Sequence, residues 1–173
     1  TDPAAAAGLP VVIIGCGMSG LLAAIRVQQA GLPYTVIEKN DGVGGTWWEN
    51  TYPGARVDVG NHFYCYSFEP SDHWSEFFSR QPELQAYFES VMDKHGVGEH
   101  VRWNTEVTSA TWDGDSATWL VELDSGDTIS ARAVISAVGQ LNRPFVPDVP
   151  GHFEGPAFHT ARWDHDVDLT GKD

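Results

Sequence analysis

Cysteine is scarce in this 173-residue chain: Cys16 and Cys65 are the only two. They stand 49 residues apart and form no C-x-x-C. That excludes a disulfide framework and a local redox pair. A reducing, cytoplasmic setting is the expectation. Basic residues are also few. Ten Lys and Arg stand against 24 Asp and Glu, for a net charge of −14. Nucleic acid and anionic membrane surfaces are therefore not expected as partners. Any diphosphate must be held by backbone amides, not by a basic patch. The seven histidines show no metal-ligand spacing, so no metal site is expected. Long apolar runs are missing too. The stretch from Leu9 to Ile25 comes nearest, but it contains three glycines and lacks a basic flank. It falls short of the roughly 18 uninterrupted apolar residues that mark a span. Nothing repeats internally, and no low-complexity linker divides the chain.

What is present is concentrated between Pro10 and Lys39. Val11 to Ile14 are four consecutive β-branched residues, suited to a strand buried on both faces. Gly15-Cys16-Gly17-Met18-Ser19-Gly20 follows and fits G-x-G-x-x-G. Met18 to Ala30 reads as a helix that Gly31 can stop. Tyr34 to Ile37 forms a second strand, and Glu38 closes it, 23 residues beyond Gly15. Gly15 permits the tight turn, Gly17 lets a pyrophosphate approach the backbone, and Gly20 lets the helix lie close on the strand. The helix start presents free N–H groups to an anion. Glu38 can accept from ribose hydroxyls and would repel a 2′-phosphate, which favours FAD or NAD over NADP here. The competing reading is an ordinary tight βα turn, with Cys16 as its small buried filler.

Beyond this unit, Gly44-Gly45-Thr46 forms a second glycine loop, followed by ten aromatics between Trp47 and Phe78. Most of these are expected to pack, and some to wall a flat ring. Within them, Arg56 and Asp58 are spaced for a salt-bridged surface turn. Pro82 to His95 reads as a helix whose Leu84, Tyr87, Phe88, Val91 and Met92 form the core face. Gln85, Glu89, Asp93 and Lys94 are expected to point away. Val101 to Trp103 is a short strand. Glu106–Trp112, Thr118–Leu123 and Thr128–Ala131 make a β-meander. Ala133 to Val138 reads as a buried strand. The expected fold is α/β and Rossmann-like, with a small antiparallel β-meander insertion at about 105–132. Residues 1–9 are a loose lead-in, 10–150 the dinucleotide domain and 151–173 a linker. Both ends are expected to be cut from a longer protein.

The segment Phe153 to Asp164 gives the chain a resemblance. It matches F-x-G-x-x-x-H-x-x-x-W-(P/D) at Phe153, Gly155, His159, Trp163 and Asp164. This fingerprint marks the class B flavoprotein monooxygenases, and within them the Baeyer–Villiger type. The loop GGTWWENTYPGARVD and the segment Tyr64 to Phe68 look like that family's flavin loop and its continuation. Ala137-Val138-Gly139 departs from the Ala-Thr-Gly of many relatives. The resemblance implies the FAD domain of a two-dinucleotide flavoprotein using FAD, NADPH and O2 to turn a ketone into an ester or lactone. It implies FAD contacts at Gly15, Gly17, Ser19, Gly20, Glu38, Lys39, Gly45, Thr46, Trp47 and Tyr64. Val107 would meet the adenine through its backbone. Asp58 would lie near the flavin and help place a catalytic arginine, so it carries the catalytic assignment. His159 and Trp163 would lie on the linker towards the NADP domain. No second glycine unit for NADPH is present, so the chain alone is not expected to turn over NADPH.

Three other readings stand beside it. Flavin N- or S-oxygenases share the motifs, but usually end the fingerprint on an aromatic other than Trp. A flavin disulfide reductase needs the cysteine pair that is missing. A non-catalytic nucleotide-binding or interaction module needs only the glycine turn.

Overall fold

The computed structural model describes residues 8–172. Apart from Gly8 and Leu9, the expected lead-in lies outside them, as does Asp173. Strand β1 (Val11–Ile14) is the centre of a parallel sheet. β2 (Tyr34–Ile37) pairs on one side and β7 (Ala133–Ser136) on the other. β3 (Val101–Arg102) extends the sheet beyond β2. Val11 and Ile13 face one core, while Val12 faces a second. This two-sided burial is why β1 has no polar position.

Helices cover the first face. α1 (Met18–Gln29) crosses from β1 to β2 and stops at Gly31, where φ is +69° and the N–H reaches the Gln28 carbonyl. α2 (Thr46–Glu49) is one turn long. α3 (Gln81–His95) begins with Pro82 in its first turn and ends at Gly96, in the left-handed conformation. Leu84, Phe88 and Val91 of α3 share a core with Leu21, Ala24 and Ile25 of α1. Each of the larger side chains here contributes about 1.5–3 kcal/mol by leaving water.

The second face is covered by an antiparallel meander of β4 (Val107–Asp113), β5 (Thr118–Leu123) and β6 (Thr128–Ala131). Val121, Leu123 and Ala131 pack on Val12 and Ile37. The result is three layers: helices, parallel sheet, meander. Among the described residues no helix is long and apolar enough to cross a membrane, and no group of three or more metal-ligating side chains is found.

One expectation fails here. Ala133 to Val138 is not a fully buried strand. β7 ends at Ser136, and its residues are half-buried or exposed, because it is the edge of the sheet. In the aromatic loop most of the ten rings are buried or half-buried, as expected. Trp47 and Tyr66 are buried, but Phe63 and Phe77 are 76% and 63% exposed. A buried asparagine also holds this loop. Asn61 donates to the Glu76 carbonyl at 2.6 Å and accepts from the Ser79 N–H at 2.8 Å.

Candidate functional site

The glycine turn starts at the carboxyl ends of three parallel strands. The Gly15 N–H bonds to the Ile37 carbonyl at 2.8 Å, and the Ala137 N–H to the Ile14 carbonyl at 2.9 Å. Gly20 is explained by packing: a Cβ there would lie 1.9 Å from the Gly15 carbonyl oxygen. Gly15 combines a φ of +96° with a Cβ position 2.7 Å from the Ala137 oxygen. Gly17 is different. Its φ of −75° and ψ of −169° suit any residue. A Cβ on it would meet nothing nearer than the Gly45 Cα at 3.5 Å, an ordinary contact. Folding therefore does not demand glycine at 17, where a Cβ would make only ordinary contact with Gly44 and Gly45 of the second glycine loop. Gly17 also offers no side-chain cap to α1, whose first amides lack intrahelical partners.

Glu38 lies under this turn and is only 4% exposed. Its Oε2 accepts the Cys16 N–H at 2.7 Å, and its Oε1 the Asn40 N–H at 2.9 Å. Each oxygen keeps a further lone pair for a sugar hydroxyl. The backbone beside it leads towards Val107. The Glu38 N–H bonds to the Arg102 carbonyl, and the Thr105 N–H to the Glu38 carbonyl. The β4–β5 register shifts between Val107 and Ser109, which interrupts the ladder where Val107 stands.

Cys16 is fully buried in the turn. Burial, with the Glu38 charge adding to it, pushes its thiol up to about 12. Cys65 is only partly buried. A thiol reagent at pH 8 is therefore expected to modify one cysteine per folded chain and two after denaturation. Rapid modification of both in the folded protein would contradict this packing.

The second glycine loop rests on the first. The Gly44 N–H bonds to the Cys16 carbonyl at 3.1 Å, and a Cβ on Gly45 would lie 3.0 Å from the Gly17 Cα. Gly45 caps α2, whose Trp47 is buried and donates from Nε1 to the Tyr64 hydroxyl at 3.0 Å. Ser19 and Thr46 are exposed at the mouth of the two loops. Lys39 is engaged with Glu49 at 2.8 Å, and Arg162 approaches the same carboxylate at 3.6 Å. Burial opposes ionisation of Glu49. Hydrogen bonds from Lys39 and Asn40, with the Lys39 and Arg162 charges, outweigh it and hold this carboxyl below its ordinary range.

Other expected residues are placed less centrally. Asp58 is exposed on the loop after α2, and the expected Arg56–Asp58 pair does not form. Arg56 meets Glu76 instead, at 3.3 Å. His159 is a cap: its Nδ1 accepts the Ala161 N–H at 3.0 Å. Trp163 packs edge-on against Phe158. Asp164 is exposed and accepts the Asp166 N–H at 3.0 Å. Phe153 is exposed, and its ring fills the space where a Cβ of Gly155 would lie. The segment reaches the glycine loop through Arg162 and Glu49, and through Thr51 and His165 at 2.8 Å. A concavity of about 740 Å³ lies between Pro53 and Trp163–Thr170, and one of about 320 Å³ beside Gly42, Trp48 and Trp103. Neither contains the glycine turn, so its chemistry, not cavity size, marks the site.

One expectation about α3 is corrected. Gln85 does not point away. It is 9% exposed, and its Nε2 donates to the Val43 carbonyl at 2.7 Å. Gln81, one turn earlier, donates to the Trp47 carbonyl. Two glutamines four apart, flanking the apolar face, are the sequence signal for this contact.

Comparison with known proteins agrees with the geometry. The model for the NAD(P)-binding Rossmann-like domain matches residues 13–81. A Baeyer–Villiger monooxygenase of Streptomyces coelicolor is 44% identical over 94% of this chain, and one of Pseudomonas aeruginosa 43% over 98%. A crystal structure of OTEMO in complex with FAD and NADP superimposes with a TM-score of 0.86 at 38% identity, over 94% of this chain and 32% of that one. Closed cyclohexanone monooxygenase gives 0.86 at 37% identity, over 93% of this chain and 32% of that one. The chain spans about a third of the length of the curated relatives it matches. Across nearly all of its own length the chain is similar to these Baeyer–Villiger monooxygenases.

Proposed function

We propose that this chain is the FAD-binding portion of an NADPH- and O2-dependent monooxygenase that converts ketones to esters or lactones. The observation that carries the reading is Gly17. Its backbone is ordinary and a Cβ on it would make only ordinary contact, so folding does not demand glycine there, while its neighbour Cys16 and Asn40 hold the buried carboxylate of Glu38 by their amides. Such a cradle fits an adenine dinucleotide: N–H groups at the start of α1 for the diphosphate, Glu38 for the ribose hydroxyls. The same carboxylate disfavours the 2′-phosphate of NADPH, which is assigned to a separate site. Bound FAD supplies the redox chemistry with NADPH and O2.

The roles follow from position. Gly15, Gly17, Ser19 and Gly20 line the diphosphate. Glu38 holds the ribose, and Val107 meets the adenine beside its bulge. Gly45, Thr46, Trp47 and Tyr64 border the flavin. Lys39 acts through Glu49, keeping α2 against the end of β2. Asp58 is a positioning residue for an arginine. Residues 10–150 form the dinucleotide unit, and 151–173 connect it onward, with Phe153, Gly155, His159, Trp163 and Asp164 in the connector. Two free cysteines, one of them buried in the turn, support a cytoplasmic setting. A second reading, N-oxygenation, is favoured by one relative: a phenazine N-monooxygenase of Lysobacter antibioticus is 34% identical over 93% of this chain.

Titration of the purified protein with FAD tests the assignment. One equivalent should bind, with quenched flavin fluorescence, and NADP should not displace it. A protein that takes up no FAD, or prefers NADP at this site, overturns the reading.

A further inference from the structure

The second glycine loop is gripped from behind by one helix. Val43 and Trp47 are four residues apart and bracket Gly44-Gly45. Gln85 and Gln81 are likewise four apart, one turn of α3. Gln85 Nε2 donates to the Val43 carbonyl at 2.7 Å, and Gln81 Nε2 to the Trp47 carbonyl at 2.5 Å. Each end of the loop therefore has one carbonyl fixed by one amide of the same helix.

The grip is tight on the loop's inner side. A Cβ on Gly44 would lie 2.2 Å from Gln85 Oε1. That oxygen is buried and accepts no hydrogen bond among the described residues. A second bond, to Glu89 Oε1 at 2.9 Å, fixes which way the Gln85 amide faces. On the outer side the loop meets the glycine turn, with the Gly44 N–H on the Cys16 carbonyl and Gly45 against Gly17. The distance between the two loops thus depends on where α3 holds the second one.

We propose that Gln81 and Gln85 are positioning residues of the dinucleotide site, setting the separation of the two glycine loops and so the affinity for FAD. This rests on the FAD reading above. The bonds lie behind the loop, so the glutamines act through it and touch no ligand. Methionine is the informative replacement at both positions. It keeps length and flexibility and removes the donor. A buried carbonyl left without its donor drives the loop to move.

The test uses the full chain, stripped of flavin and titrated with FAD. Gln85→Met and Gln81→Met should each raise the FAD dissociation constant about tenfold, the scale of one lost buried hydrogen bond. The visible circular dichroism of bound flavin should change as well, which a merely structural residue would not alter. Gln81 is only half-buried, so its variant keeps the test sound if Gln85→Met folds poorly. A wild-type affinity and an unchanged flavin spectrum in Gln81→Met would overturn the proposal, whatever happens to melting. Failure of the wild-type chain to bind FAD would instead remove the FAD reading, and this inference with it.

Discussion

Gly17→Ala should leave the fold nearly intact and strip the site of much of its FAD affinity. The backbone at 17 is unstrained, and the new methyl meets Gly45 at an ordinary 3.5 Å. Replacing glycine reduces unfolded-state freedom, which favours folding by about 0.4–1 kcal/mol. Alanine is a poorer helix N-cap than glycine, and that works in the opposite direction. The flavin-free melting temperature should therefore shift by no more than about 3 °C. A diphosphate held where the two glycine loops meet must share that space with the methyl. Overpacking of this kind costs about 2 kcal/mol, or roughly thirtyfold in dissociation constant. Calorimetric melting and FAD titration on the same sample check both halves. A large fall in melting temperature would mean that glycine at 17 serves folding. Undiminished affinity would mean that no ligand passes over it.

Gly20→Ala should do the reverse, damaging the protein before any ligand is added. Here the methyl would stand 1.9 Å from the Gly15 carbonyl oxygen. That oxygen belongs to the main chain of the turn and has no rotamer to change. Either α1 lifts from the sheet or the turn distorts. Lifting α1 loosens Leu21, Ala24 and Ile25, which are buried in the main core. The cost should reach about 3 kcal/mol, a fall of about 6–12 °C in a domain of this size. Saturating FAD should restore part of the loss by mass action, in proportion to the affinity that survives. An unaltered melting temperature would show that helix and strand pack less closely than described.

These two substitutions explain why the first unit was legible from sequence. Two strands, a glycine turn and a closing acid leave few other ways to bury a run such as Val11–Ile14. The meander was legible for a similar reason: alternation and turn residues fix both faces and both ends. Legibility failed where a residue's fate depends on a distant partner. Gln85 is polar and helical, so it reads as solvent-facing. Its burial follows only once the Val43 carbonyl lies across from it. β7 is apolar enough for a central strand, and composition does not reveal that it stands at an edge. Arg56 and Asp58 are near in sequence, yet Glu76, 20 residues on, takes the arginine. Asn61 gives no hint that its amide organises the aromatic loop. The short helix Thr46–Glu49 is too brief to show any periodicity.

The two amide bonds to Glu38 have a thermodynamic consequence. A free glutamate side chain loses about 1.5–2 kcal/mol of rotamer entropy when it is ordered. Here the backbone of Cys16 and Asn40 has already restrained it during folding. An arriving nucleotide finds an acceptor that no longer has to be frozen, so little of the sugar contact is spent on ordering the protein.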